Sequence, residues 1–79
     1  MTRRNFEILF IEQQEELIVQ YGTFIKTQLI GEHLCDLYLY DTFYVVFFYL
    51  FVQNSDIKSH CFNTLDHIEL YIDAIESAS

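Results

Sequence analysis

The sequence predicts an α+β fold in one domain over residues 1–79, with an N-terminal helix, an antiparallel β-meander of three to four strands and a C-terminal amphipathic helix. Three observations predict it. Apolar residues recur every three or four positions toward both ends of the chain, and they alternate at every second position in between. The polar breaks between the alternating runs are short enough for hairpins, so consecutive strands are expected to pair antiparallel.

The N-terminal helix is expected from about Arg4 to Tyr21. Glu7, Glu12, Gln13, Gln14, Glu15 and Glu16 are good helix formers, and Phe6, Leu9, Phe10, Leu17, Ile18 and Tyr21 recur at helical steps. Gly22 stands where that helix should end. β-branched and aromatic residues then dominate, in runs at about Thr23–Leu29, His33–Tyr40, Phe43–Val52 and Ile57–Phe62. Gly31-Glu32, Asp41-Thr42 and Gln53-Asn54-Ser55-Asp56 separate them. In the C-terminal helix, Asn63 or Thr64 is placed to cap, Asp66 suits the first turn, and Leu65, Ile68, Ile72 and Ile75 form an apolar stripe.

A two-residue turn at Asp41-Thr42 sets the faces of the second and third strands, because residues opposite each other share a face. His33, Cys35, Leu37 and Leu39 join Tyr44, Val46, Phe48, Leu50 and Val52 on one side. Leu34, Asp36, Tyr38 and Tyr40 join Phe43, Val45, Phe47, Tyr49 and Phe51 on the other, the aromatic face. Two short helices in such a chain normally cover one face, which would leave the aromatic one open as a contact surface; helices on opposite sides are the alternative, and they weaken that contact. Continuing with Val52 opposite Ile57 places Phe48 between Cys35 and Cys61, and His60 opposite Tyr49 on the aromatic face. The two thiols would then stand about 10 Å apart, beyond the ~7 Å that a disulfide spans, so both are expected to be free.

Composition narrows the function classes. The chain has 4 Lys+Arg against 12 Asp+Glu, a net charge of −8, and 8 Phe and 6 Tyr in a sequence that is 52% hydrophobic. Aromatic content of that order argues for a packed core over disorder. Four basic residues are too few to neutralise a run of phosphates, so nucleic acid is not an expected partner. The stretch Leu34–Val52, with Asp36 and Asp41 as its charges, approaches the length of a membrane helix. It lacks Gly and Ala, has no flanking basic cluster and carries its Tyr residues mid-span, which argues against insertion. Arg3 and Arg4 begin like a leader, but Glu7 and Glu12 interrupt the apolar run, so the segment reads as mature sequence. With two cysteines and no C-x-x-C pair, a reducing, cytoplasmic setting is expected.

No catalytic, cofactor or metal motif is visible. His33, His60 and His67 have no metal-like spacing, and Asp36, the charge within the aromatic face, is expected to face solvent near the sheet edge or to meet Thr27 and Lys58, with a polar anchor in a ligand cleft as the alternative. His60 and Asp36 share a face in the expected register but stand on non-adjacent strands, which disfavours an acid–base pair. The expected function is a non-enzymatic interaction module that forms a homodimer or binds another protein through Tyr38, Tyr40, Phe43, Phe47, Tyr49 and Phe51. Two alternatives are a small hydrophobic ligand in an aromatic cleft between that face and a helix, and an acidic inhibitor-type protein that attracts a basic partner. For the latter, Glu7, Glu12, Glu15, Glu16, Asp66, Glu69, Asp73 and Glu76 would supply the negative helix surfaces.

Overall fold

Helical segments from the two ends of the chain pack on opposite faces of one antiparallel sheet in the computed structural model, which describes residues 1–50 and 57–70. The elements are α1 (Arg3–Glu7), α2 (Ile11–Tyr21), β1 (Thr23–Ile30), β2 (His33–Tyr40), β3 (Phe43–Leu50) and β4 (Lys58–Phe62). Residues 65–70, α3 hereafter, are the described part of the C-terminal helix. The strands lie in chain order, β1-β2-β3-β4. The α+β meander is therefore as predicted, and residues 34–50 of the stretch long enough for a membrane helix belong to the β2–β3 hairpin. Among the described residues no helix is long and apolar enough to cross a membrane.

Of the two arrangements the sequence allows, the helices take the two-sided one. Phe43, Val45 and Phe47 on the aromatic face form one core with Phe6 of α1 and Ile18 of α2. On the other face Ile30, Cys35, Leu37 and Val46 pack with Ile68 of α3. The physical reason lies in β3, where the neighbours Val45 and Val46 point to opposite faces and are 0% and 3% exposed. A strand apolar on both sides needs a cover on each. In α3, Ile68 supplies the buried contact and Leu65 is exposed; Ile72 and Ile75 lie outside the described residues.

The N-terminal helix is two helices, not one. In a straight helix Phe6 and Ile18 would be ~18 Å apart at 1.5 Å per residue, too far to share a cluster. The chain breaks after Glu7, and the backbone N–H of Leu9 donates to the Phe6 carbonyl at 3.1 Å. Gln13 Oε1 accepts from the Phe10 N–H at 3.1 Å and opens α2. Gln14 holds the joint. Its buried side-chain amide donates to the carbonyls of Phe6 at 3.0 Å and Leu9 at 3.3 Å, while its oxygen accepts from the Ser59 hydroxyl at 2.5 Å. The carbonyls of Phe6 and Leu9 at the break thus meet donors, as buried polar groups require.

The β2–β3 register runs from Tyr40↔Phe43 to His33↔Leu50, as the two-residue turn predicts, with Asp41 in the left-handed region at φ 55°. The β3–β4 register departs from the expected one by three residues, with Phe48 opposite Lys58, Val46 opposite His60 and Val45 opposite Cys61. An odd shift exchanges the faces. Cys61 and Ser59 therefore face α1 and α2, and His60 and Phe62 face the α3 side. The Gln14–Ser59 hydrogen bond accounts for the choice, since the expected register would turn Ser59 away from α2. Thr64 Oγ1 caps α3 through the His67 N–H at 3.4 Å.

Gly22 ends α2 by close approach, not by an unusual dihedral. A Cβ there would sit 2.7 Å from the Ile18 carbonyl oxygen, which accepts the Gly22 N–H at 2.8 Å. Gly22→Ala is expected to lower stability in urea unfolding by opening this hydrogen bond. Phe6→Ala removes a ring that is 0% exposed and should cost about 3–5 kcal/mol. An unfolding midpoint unchanged by Phe6→Ala would show that α1 is not part of the core.

Candidate functional site

The aromatic face is not sealed along its whole length. α1 lies over β4 and α2 over β2, and between α2 and the floor of β2–β3 a cleft of about 180 Å³ remains, lined by Glu15, Ile18, Val19, Asp36, Tyr38, Phe47, Tyr49 and Ile57. Strand alternation builds the floor: Asp36 and Tyr38 are two apart on β2, Phe47 and Tyr49 two apart on β3, and Asp36 is directly opposite Phe47. Helical spacing builds the roof, since Glu15, Ile18 and Val19 fall on one side of α2 at steps of three and four. Ile57 closes the β4 side.

The floor is polar at one point. Thr27 Oγ1 of β1 donates to Asp36 Oδ1 at 2.7 Å, and the Tyr49 hydroxyl also donates to the Asp36 carboxylate. Thr27 is thus the partner expected from the sequence, while Lys58 stands opposite Phe48 on the other face. Burial first, and then the Asp36 charge, push the phenols of Tyr38 and Tyr49 above the ordinary tyrosine range. Both rings are neutral phenols at physiological pH. Their packing is edge-on, with Tyr38 5.9 Å from Phe47 and 5.5 Å from Phe24.

The six aromatic residues proposed as an interface have separate fates. Phe43 and Phe47 are 1% and 5% exposed, Phe43 under Phe6 of α1 and Phe47 as floor of the cleft. Tyr38 and Tyr49 are half-buried and line the cleft, and Tyr40 is half-buried between Phe6 and Phe43 at 5.6 and 5.5 Å. Phe51 lies outside the described residues. Glu15, Ile18, Val19 and Ile57 are not among the expected site residues, and the sequence assigns Glu15 to the outer acidic surface. The available signal was helical phase: Glu15 follows Gln14, the buried polar residue of α2, and so lies on the flank of its inner face.

The histidines and thiols do not join this site. The three-residue register shift sets His60 on the opposite face from Tyr49 and Asp36, where it stacks on Phe48 at 5.3 Å and 15°. Burial, with Lys58 nearby, lowers its pKa. His33 contacts Phe48 from the other side at 6.1 Å. Among the described residues no three His, Cys, Asp or Glu side chains converge as metal ligands would. Both cysteines are free, as expected, but because they point to opposite faces of the sheet. A second, more polar hollow of about 270 Å³ is lined by Glu7, Gln14, Ser59, His60 and Cys61. There Gln14 and Ser59 are already bonded to each other. Matched against protein-family models, curated proteins and solved structures, the chain has no counterpart in any of the three.

Burial above all, with the Glu7 carboxylate adding to it and the Arg3 guanidinium opposing, pushes the Cys61 thiol up to about 11. An unfolded thiol ionises near 8.5. As pH rises, the unfolded chain therefore loses its proton first. The contribution of the neutral thiol to folding is complete below about 8.5 and declines up to about 11. In a Cys35→Ala background, alkylation of the native protein should follow a titration midpoint near 11, against about 8.5 in denaturant. A native midpoint close to 8.5 would place Cys61 in solvent.

Proposed function

We propose that this chain is a non-enzymatic binding protein that takes a small, largely apolar ligand into the cleft between α2 and the aromatic face. One observation carries the choice. The residues at the centre of a sheet-face contact, Phe43 and Phe47, are covered by the chain's own helices, while Tyr38, Phe47 and Tyr49 line an open hollow under α2. Ligand sites are commonly apolar, concave and furnished with a few polar groups, and here Asp36 and Glu15 are those groups. Two free thiols fit a reducing compartment such as the cytoplasm.

Val19 gives a clean test, because it borders the cleft and is 85% exposed. Val19→Trp should leave the unfolding midpoint unchanged and abolish capture of small aromatic and alicyclic probes in native mass spectrometry. Capture that survives the substitution would place the ligand elsewhere.

Association between copies is a second reading, and β1 supports it. This strand is a sheet edge on which Phe24, Ile25 and Leu29 are 56%, 42% and 61% exposed. An apolar edge with open backbone groups favours pairing with another strand. The contact would then lie along β1 and not across Phe43 and Phe47. Light scattering after size exclusion should report a dimer that Ile25→Lys converts to monomer. A monomer at high concentration in the unsubstituted protein removes this reading.

A further inference from the structure

The cleft lining holds more than apolar surface. Glu15 belongs to α2 and Asp36 to β2, so the roof and the floor each contribute a carboxylic side chain, and Tyr38, Phe47 and Tyr49 share the floor with Asp36. No Lys, Arg or His among the described residues is part of that lining. Asp36 receives hydroxyl donors, from Thr27 and Tyr49, and no cation among the described residues. Among the described residues the ion pairs are the Met1 ammonium with Asp41 and Arg3 with Glu7, neither of which involves Glu15 or Asp36. Carboxylates are normally kept out of a half-buried apolar hollow unless a positive partner offsets the loss of water.

We infer that the ligand of this cleft is a small organic ammonium, held by the Tyr38, Phe47 and Tyr49 rings with Asp36 and Glu15 as its counter-charges. The inference rests on the reading of the cleft as a ligand site and adds the chemical class. The physical basis is the ring quadrupole, whose negative face attracts a cation within about 6 Å of the centroid, more strongly where water is displaced. Two neutral phenols and a phenyl ring line the cleft, and alkyl groups on nitrogen suit the Ile18, Val19 and Ile57 walls. A cleft of about 180 Å³ suits a small head group and is below the roughly 300–1,000 Å³ of pockets that bury drug-sized molecules. The net charge of −8 draws cations toward the molecule.

The test uses two probes of one shape. Choline and 3,3-dimethylbutan-1-ol differ by nitrogen against carbon at the branch point, and each is titrated into the intact chain in excess sodium chloride, with probe methyl resonances followed by NMR. Choline methyls should shift upfield, and the neutral alcohol should bind at least about tenfold more weakly, the scale of a desolvated cation–π contact. Asp36→Asn keeps an oxygen for Thr27 to donate to and should weaken choline by a similar factor. Glu15→Gln, outside the core, should weaken it too and serves if Asp36→Asn fails to fold. Equal binding of both probes would overturn the ammonium assignment and leave the cleft reading standing. Failure of both probes, together with failure of the neutral aromatic panel, would overturn the two readings at once. Choline binding unchanged in both variants would overturn the assignment as well.

Discussion

Val45 and Val46 are consecutive, both buried, and on opposite sides of the sheet. Most small antiparallel sheets turn one side of each strand to water, and polar residues then appear at every second position. β3 has none to offer between Phe43 and Phe48. Two layers cannot satisfy such a strand, so the helical material must be divided between the faces. With α3 on one side, α1 and α2 must together cover the other. One straight helix would cross it as a narrow rod, whereas two short ones, hinged at residues 8–10, place Phe6 over Phe43 and Ile18 near Phe47.

Gln14 makes this arrangement specific where hydrophobic packing alone would leave it loose. The same side chain joins the end of α1, the start of α2 and the middle of β4. A buried amide with all its partners met favours one docking geometry, because any displacement strands a donor or an acceptor. It also determines the handing of β4, since Ser59 must face the helices. From that single requirement follow the separation of the two cysteines and the removal of His60 from the side of Asp36.

What was legible in the sequence tracks how local each decision is. The β2–β3 register follows from Asp41-Thr42 alone, because a two-residue turn leaves no freedom, and all pairs from Tyr40↔Phe43 to His33↔Leu50 agree with it. The β3–β4 register rests on a contact with a distant helix residue, and alternation within Lys58–Phe62 carries no trace of it. The break after Glu7 was hidden for a related reason: Ile8, Leu9 and Phe10 include no glycine or proline, and tertiary demand overrode propensity. For the site, the floor residues Asp36, Tyr38, Phe47 and Tyr49 were readable as neighbours on one face. The roof depended on which helix docked there, and so Glu15 looked like any other surface acid.

The two covers also arrive at different times. As the chain is made from its N-terminus, α1, α2 and the first strands are available before α3, and pairing in sequence order lets the meander close through short loops. Until Ile68 is added, Ile30, Cys35, Leu37 and Val46 face outward as a bare apolar surface. A nascent or prematurely terminated chain that stops after β4 would therefore carry a nearly finished sheet with one sticky side, the kind of species that aggregates or recruits chaperones. Residues 65–70 are therefore the segment whose arrival turns that exposed side into the second half of the core.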